Sequence, residues 1–207
     1  MYKGYEGDCV EIIPTIEEIP QLIICDGPFG PRMSKDSSWY TGEVDGIDWF
    51  KACHEKVDPK GVIVVFVPTQ LMMNSHYTAM CNYRPLTNVL TWTHSGWNDI
   101  ERGWDSRSDT KKWTNNICIF GQQHHAEQSE YIGHYPIEEL KYHPHQKPVG
   151  VYQYLIDRYS KDGDTILDPF AGSGICAKAC KNRDYIAIDF DLEPLSRVMK
   201  DINASLV

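Results

Sequence analysis

The feature that most constrains the fold is the stretch 164–174, near the end of the 207-residue sequence. Its residue pattern indicates a strand that ends at Asp168, a turn of small residues, and a helix over residues 173–181. Gly172 and Gly174 permit a sharp bend and leave no Cβ between the backbone and a ligand. The pattern therefore predicts a ligand-binding turn whose helix start offers free N–H groups, with a plain tight turn as the alternative.

A second short strand, residues 184–189, ends in Asp189. This acid follows the loop at about twenty residues, the spacing at which a carboxylate binds ribose hydroxyls in nucleotide sites. A phosphate-binding loop carries Lys followed by Ser or Thr after its glycines, and that pair is absent here. The two segments together predict a site for a nucleoside without a pyrophosphate.

Two segments carry a resemblance to a known family, and their sequences are His143-Pro144-His145-Gln146-Lys147-Pro148 and Asp168-Pro169-Phe170-Ala171-Gly172-Ser173-Gly174. They resemble the S-adenosylmethionine-binding region of DNA amino-methyltransferases, which methylate adenine N6 or cytosine N4. The resemblance implies that the glycine loop lies under the methionine part of the cofactor, that Asp189 holds the ribose, and that residues 146–148 help to close the methionine end. The implied cofactor contacts are Asp8, Cys9, Asp26, Gln146, Lys147, Pro148, Asp168, Phe170, Ala171, Gly172, Ser173, Gly174, Asp189 and Phe190.

Length and composition favour a single domain over residues 1–207. A chain of this size, 42% hydrophobic, can bury one core and has little left for a second. The sequence shows no signal-peptide pattern and no apolar run of bilayer length, which predicts a soluble, intracellular protein with no membrane partner. Together with the resemblance, this predicts that the protein lies in the bacterial cytoplasm and is encoded either by a bacterium or by a phage in a bacterial host. Seven scattered cysteines without a CxxC pair favour reduced thiols over disulfides or a zinc site.

The formal net charge is −9, from 20 basic and 29 acidic residues, and it is unfavourable for nucleic-acid binding. Binding to a phosphate backbone depends on clustered Lys and Arg. A local basic rim on an acidic body, or a partner subunit, would supply the missing attraction. We therefore expect unaided binding to nucleic acid to be weak and strongly dependent on salt.

The N-terminal segment contains another acid that is predicted to follow a strand. A short strand followed by Gly7, Asp8 and Cys9 places Asp8 at the carboxyl end of that strand, where open α/β sheets bind ligands. The alternative is that Asp8 caps the short helix that follows. The triplet resembles the family segment that contacts the cofactor's adenine. Because only one helix follows Asp189, we expect the third strand of the cofactor half to come from the N-terminus.

The apolar run 22–25 predicts a buried parallel strand that ends at Asp26. Asp26-Gly27-Pro28-Phe29 resembles the family's catalytic tetrapeptide, Asp-Pro-Pro-Tyr or Phe, with Gly27 replacing the first proline. The Asp26 carboxylate and the Gly27 carbonyl can accept both hydrogens of an exocyclic amine, and Phe29 offers a stacking face. We therefore predict that these four residues are catalytic, with an ordinary strand-to-loop turn as the alternative. Glycine makes the turn more flexible than proline would.

The identity of Asp26 bears on the target atom. The family's cytosine members most often carry Ser at this position, whereas its adenine members carry Asp or Asn, so the resemblance implies adenine N6. Chemistry alone is compatible with either amine. The implied mechanism is direct transfer to a base flipped out of DNA, with no metal. The histidines His124, His125 and His134 do not share one helical face with a carboxylate, which argues against a metal site.

Two segments, 95–113 and 122–142, are candidate substrate-contacting loops. The first mixes tryptophans with basic residues, as nucleic-acid contacts do, although acids dilute it and a solvated connector is the alternative. The second is shorter than the family's usual recognition region. That favours a short recognition sequence, a partner subunit or relaxed specificity. The polar segment 31–46 is a candidate lid, with an ordinary surface loop as the alternative.

Strands alternate with helices along the chain, which predicts an α/β fold with a doubly wound, mostly parallel sheet. By resemblance it is a Rossmann-like methyltransferase sheet of seven strands, with the strand at 116–120 antiparallel and the catalytic half before the cofactor half. The predicted activity is methylation of adenine N6 in DNA. Other substrates stay open as alternatives: cytosine N4, RNA or a free nucleotide. A further alternative is that the protein is a catalytically weak cofactor-binding subunit. A homodimer or a partner subunit also stays open.

Overall fold

The computed structural model describes residues 1–27, 47–67, 75–95, 112–121, 131–135, 142 and 146–204. The strands and helices of these residues are β1 (Tyr2–Glu6), α1 (Cys9–Ile12), β2 (Leu22–Cys25), α2 (Asp48–Lys56), β3 (Val62–Val67), α3 (Ser75–Tyr83), β4 (Leu86–Ser95), β5 (Lys112–Gly121), β6 (Tyr131–His134), α4 (Val149–Tyr159), β7 (Thr165–Asp168), α5 (Cys176–Ala179), β8 (Asp184–Asp189) and α6 (Glu193–Ala204). A 3-10 turn, Ile13–Thr15, follows α1.

The strands of the described residues form one sheet in the order β1-β8-β7-β2-β3-β5-β4-β6. Every neighbouring pair is parallel except the two pairs that include β5, so β5 alone runs against the others. The predicted class, a mostly parallel Rossmann-like methyltransferase sheet, is confirmed, and so is the antiparallel strand at 116–120. Parallel strands present their carboxyl ends at one edge, which is where such folds bind ligands.

The sheet has eight strands in the described part of the chain, one more than predicted. The additional strand is β6, which pairs in parallel with β4 at the edge of the sheet and lies inside the segment 122–142 that was predicted to be a loop. Four residues that include Gly133 give no apolar alternation by which a strand could be recognised. Pairing with β4, a tertiary contact, defines this strand.

The N-terminal strand completes the cofactor half, as predicted. β1 lies parallel to β8, in a register that runs from Tyr2 opposite Tyr185 to Glu6 opposite Asp189. The amide of Gly7 continues this pairing by donating to the Asp189 carbonyl at 2.9 Å. The first residues of the chain are therefore fixed beside the acid that ends β8.

The core consists of one apolar layer on each face of the sheet. Leu22 and Ile24 of β2 pack on the face covered by α4, α5 and α6, whereas Ile23 and Cys25 pack on the face covered by α1, α2 and α3. All four side chains are fully buried. Burial of each of the three aliphatic ones contributes roughly 1.5–3 kcal/mol to the stability of the fold. This two-sided burial holds the end of β2, and thus Asp26, in a fixed place.

The helix after the glycine loop is shorter than predicted. The pattern indicated a helix over residues 173–181, but only Cys176–Ala179 are α-helical. Gly174 has a φ of +70°, which no right-handed helix contains, and its amide closes a turn onto the Ala171 carbonyl at 2.7 Å. The loop and the start of the helix are therefore a series of tight turns.

In the described ranges, no helix is both long and apolar enough to cross a membrane. The same ranges contain no group of His, Cys, Asp and Glu side chains arranged to hold a metal ion. The seven cysteines are free thiols.

Candidate active site

Four neighbouring parallel strands end in aspartates at one edge of the sheet. In sheet order these are Asp8 after β1, Asp189 at the end of β8, Asp168 at the end of β7, and Asp26 after β2. Two of these aspartates thus come from the N-terminal half of the chain and two from the C-terminal half. A row of carboxylates favours a ligand that carries positive charge and hydroxyl groups.

The two glycines of the loop have different tasks. Both have positive φ, +49° at Gly172 and +70° at Gly174. A Cβ added to Gly174 would lie 2.7 Å from Leu195 Cδ1 and 2.8 Å from Leu195 Cα, so this glycine allows α6 to pack on the loop. Among the described residues, a Cβ on Gly172 would meet only the Phe170 carbonyl oxygen, at 3.9 Å. The space beside Gly172 is thus a cradle that a ligand can occupy.

The Asp189 side chain lies next to the glycine loop and also holds it in place by hydrogen bonding. Its Oδ2 accepts a hydrogen bond from the Gly172 amide at 2.7 Å, and its Oδ1 accepts one from the Asp191 amide at 3.2 Å. The Gly172 amide is therefore bound to the carboxylate and is not a free donor in this structure. A carboxylate has about four acceptor positions, so the half-buried Asp189 retains capacity for ribose hydroxyls.

The predicted adenine end lies at the carboxyl ends of β1 and β8. Asp8 is exposed, and its Oδ1 accepts from the Val10 amide at 2.8 Å, so it caps α1 as the alternative interpretation had it. Cys9 is buried in the core, where burial raises the pKa of its thiol to about 12. The Phe190 ring is 61% exposed next to Asp189. Of these side chains, Phe190 presents the open aromatic surface.

Asp168 is buried beneath the loop, with 3% of its surface exposed. The Tyr185 hydroxyl donates to its Oδ2 at 2.9 Å, and the Phe170 amide donates to its Oδ1 at 3.3 Å. Burial raises the pKa of the Asp168 carboxyl to about 7; the charges of Asp26 and Asp189 also raise it, and the two hydrogen bonds lower it. Tyr185 was not predicted, because only pairing of β7 with β8 brings the two side chains together.

The other predicted contacts in the loop maintain its shape. The Phe170 ring packs edge-on against Trp49 of α2, with centroids 5.6 Å apart. Ala171 donates its amide to the Ile188 carbonyl at 3.0 Å. Ser173 is buried, and its hydroxyl accepts from the Ile175 amide at 3.2 Å. These contacts fix the loop to β8 and α2, so that Gly172 borders the open space.

Asp26 is paired with a lysine that lies far away in the sequence. Lys147 Nζ is 2.7 Å from Asp26 Oδ1 and 2.8 Å from Oδ2, and the Tyr152 hydroxyl donates to Oδ2 at 3.2 Å. The ammonium also lies 5.5 Å from the centroid of the Phe66 ring. The resemblance placed Lys147 at the methionine end of the cofactor, and the structure places it directly on the predicted catalytic acid.

The segment before α4 is anchored so that Lys147 points to Asp26. Gln146 is buried, and its Oε1 accepts from the Tyr142 amide at 2.9 Å. The Tyr142 hydroxyl contacts Asp201 of α6 and accepts from Lys178 Nζ of α5 at 2.9 Å. Pro148 then forms the N-cap position of α4. In this structure Gln146 and Pro148 thus hold the backbone on either side of Lys147.

Some predictions fall on residues that the structure does not describe. Gly27 is half-buried directly after Asp26, but Pro28 and Phe29 lie outside the described residues. The candidate lid at 31–46 lies outside them, as does most of the candidate contact loops 95–113 and 122–142. The roles of these residues stay predictions.

A parallel α/β sheet with a glycine cradle and an acid on the following strand defines a protein that binds a nucleoside-containing cofactor. Residues 92–200, more than half of the chain, match the model of the N6/N4 DNA methylase family. The chain therefore belongs to this family of DNA amino-methyltransferases, and its cofactor is S-adenosylmethionine. The cradle beside Gly172 and the carboxylate of Asp189 fit this cofactor, since a sulfonium nucleoside needs space, acceptors and negative charge.

Individual relatives agree with this assignment. The chain is 28% identical over 220 residues to the Type II methyltransferase M.HpaI of Haemophilus parainfluenzae, across 90% of this chain and 69% of that protein. The solved complex of M1.HpyAVI with SAM has a TM-score of 0.69 at 20% identity, covering 97% of this chain and 100% of that one. The cytosine-N4-specific PvuII DNA methyltransferase has a TM-score of 0.68 at 18% identity, covering 94% and 86%. At these identities the two structures establish the fold.

Proposed function

We propose that this enzyme transfers the methyl group of S-adenosylmethionine to N6 of adenine in DNA. The observation that carries the proposal is Asp26, a carboxylate at the end of β2, beside the glycine loop that ends β7. The resemblance of the segment 26–29 to the family's catalytic tetrapeptide supports the same assignment. Asp at this position, where cytosine enzymes most often have Ser, favours adenine over cytosine.

In this mechanism the chain positions an amine rather than activating a nucleophile. Asp26 accepts one hydrogen of the exocyclic amine and the Gly27 carbonyl accepts the other, so that the nitrogen lone pair turns out of the plane of the base. Phe29 stacks on the flipped base. The glycine loop and Asp189 would hold the cofactor, which would supply an electrophilic methyl group and be left as a neutral thioether, and the methylated amine would release one proton to solvent. Positioning and electrostatics thus provide most of the rate enhancement.

The acids of the sheet edge support binding of a sulfonium cofactor. Asp26, Asp168 and Asp189 end three adjacent strands, and the charges of Asp26 and Asp189 add to burial in raising the pKa of the Asp168 carboxyl. A positive ligand near them relieves this repulsion between carboxylates. Lys147 offsets part of the negative charge at Asp26. The site is therefore matched to a cofactor of net positive charge.

We further propose that the enzyme is the modification component of a bacterial restriction-modification system and acts in the cytoplasm. M.HpaI, which aligns with 90% of this chain, is a Type II methyltransferase of a bacterium. The segments 95–113 and 122–142 are the proposed DNA contacts in a single domain over residues 1–207. The shortness of 122–142 favours a short recognition sequence, a partner subunit or relaxed specificity.

The test is nucleoside mass spectrometry of unmethylated DNA after incubation with the protein and S-adenosylmethionine. N6-methyladenine is the expected product, and the Asp26→Ala variant is the control, which should form it on the order of a hundredfold more slowly or worse. N4-methylcytosine without N6-methyladenine would overturn the assignment of the base. Methylated free nucleotides or RNA in parallel reactions, with unmodified DNA, would overturn the assignment of the polymer.

A further inference from the structure

Tyr152 makes a contact with Asp26 that neither the sequence pattern nor the resemblance indicated. It lies in the first turns of α4, is 5% exposed, and directs its hydroxyl at Asp26 Oδ2, 3.2 Å away. Its ring packs against the ring of Phe66 on β3, with centroids 5.6 Å apart. The side chain is therefore held between a helix and a central strand, which leaves its hydroxyl little freedom to move.

The donors around Asp26 are unequally distributed over its two oxygens. Oδ2 receives Lys147 Nζ at 2.8 Å and the Tyr152 hydroxyl at 3.2 Å, whereas Oδ1 receives Lys147 Nζ at 2.7 Å. Each carboxylate oxygen has two acceptor positions. Within the residues that the structure describes, both positions of Oδ2 are therefore used and one position of Oδ1 is left. Oδ1 is the oxygen to which an amine hydrogen can be donated.

The two donors differ in how firmly they hold the carboxylate. Tyr152 has one stiff aromatic side chain, and burial together with the charges of Asp26 and Asp168 raises its pKa well above the usual value, so it stays a donor at any working pH. Lys147 has a flexible stem, and 24% of its side chain is exposed. An ammonium can pair with another anion that enters the site. The Tyr152 hydroxyl is therefore the fixed constraint on the orientation of the carboxylate.

We infer that Tyr152 is a positioning residue for methyl transfer: it fixes the Asp26 carboxylate through Oδ2, so that Oδ1 faces the amine of the target base. This inference rests on the proposed function in one respect, the role of Asp26 in holding the amine. It is independent of whether that amine belongs to adenine or to cytosine.

The test is the Tyr152→Phe variant, which removes the hydroxyl and keeps the ring that packs on Phe66. We expect kcat to fall about tenfold, the loss typical of one hydrogen bond to a charged group. The calorimetric Kd for S-adenosylmethionine should stay within about twofold of the wild-type value. The Tm should stay within about 2 °C of the wild-type value. Tyr154→Phe is the matched control, because that hydroxyl on the same helix accepts from Arg158 Nη1 at 3.2 Å. Equal kcat in Tyr152→Phe and wild type would overturn the inference.

A double-mutant cycle separates a positioning role from a structural one. The rate of transfer of a tritiated methyl group measures the residual activity of Asp26→Ala. In that background, Tyr152→Phe should cause no further loss of rate. A second tenfold loss in that background would overturn the inference, because Tyr152 would then act by a route other than Asp26. Methylation of cytosine by the wild type would overturn only the proposed base and would leave the Tyr152 effect measurable.

Discussion

Asp26, Asp168 and Asp189 lie at one sheet edge, and their hydrogen-bond partners give them three different tasks. Asp168 is enclosed by Tyr185 and the backbone beneath the loop, whereas Asp189 holds the backbone of the loop from the side. Asp26 has two side-chain partners and remains partly open, with 18% of its side chain exposed. The residue type alone does not distinguish these tasks, but burial and partners do.

The enclosed carboxyl should make the stability of the protein depend on pH. Its pKa is about 7 in the folded protein and about 3.9 in an unfolded chain. The folded state therefore binds the proton more tightly, and this contribution is fully present below about pH 4 and lost as the pH rises through about 7. Relative to Asp168→Asn, the wild type should lose up to roughly 4 kcal/mol of unfolding free energy across this range.

Urea denaturation of both proteins at several pH values measures this difference, since all other titrating groups are common to the two. Asn is a suitable replacement because it can still accept from the Phe170 amide, and its NH₂ group can donate to the Tyr185 hydroxyl. Parallel curves for the two proteins between pH 4 and 7 would show that Asp168 titrates normally.

At the scale of elements, the glycine loop and α6 form one unit, and the two loop glycines should respond differently to the same substitution. Gly174→Ala places a Cβ 2.7 Å from Leu195 in addition to the strain of a positive φ, so it should cost roughly 3–5 kcal/mol of stability. Gly172→Ala carries only the strain, about 1–2 kcal/mol, but its Cβ enters the cofactor space, so affinity should fall at least about tenfold.

Urea denaturation and calorimetric titration with S-adenosylmethionine separate the two effects. The expected result is a stability defect in Gly174→Ala that exceeds the defect in Gly172→Ala, with loss of affinity in a folded Gly172→Ala. Full affinity in Gly172→Ala would mean that the cofactor does not lie over this glycine.

The sequence predicted most elements because their patterns are local. The buried strand before Asp26 and the helices α2 and α4 follow from hydrophobic periodicity, and the ends of β2 and β7 follow from the turn residues after them. The strand β6 was not predicted, because only its pairing with β4 defines it, and α5 was predicted too long, because the positive φ of Gly174 delays its start. The same limit applies to the site: Asp26 was found by pattern, whereas its contacts with Lys147 and Tyr152 join residues from opposite ends of the chain.

At the scale of the whole molecule, the two ends of the chain build the site and the middle supplies the proposed contact with DNA. With a net charge of −9, binding to DNA depends on a local basic segment or on a partner subunit, and the segment 95–113 is the proposed basic segment. Replacing three basic residues of the segment 95–113, Arg107, Lys111 and Lys112, by Ala should raise the KM for DNA severalfold and lower its dependence on salt, with the Kd for cofactor unchanged. Steady-state kinetics from 50 to about 200 mM salt measure both quantities. An unchanged salt dependence would place the DNA contact elsewhere.

In the proposed mechanism, Asp26 and the glycine loop form one methyl-transfer site in which Asp26 acts on the amine. The most direct test is the rate of methyl transfer to DNA by Asp26→Ala, with the calorimetric Kd for S-adenosylmethionine measured on the same preparation. We expect the rate to fall on the order of a hundredfold or more, whereas the Kd should change by less than about tenfold. A rate within a few-fold of wild type, with cofactor still bound, would contradict the account.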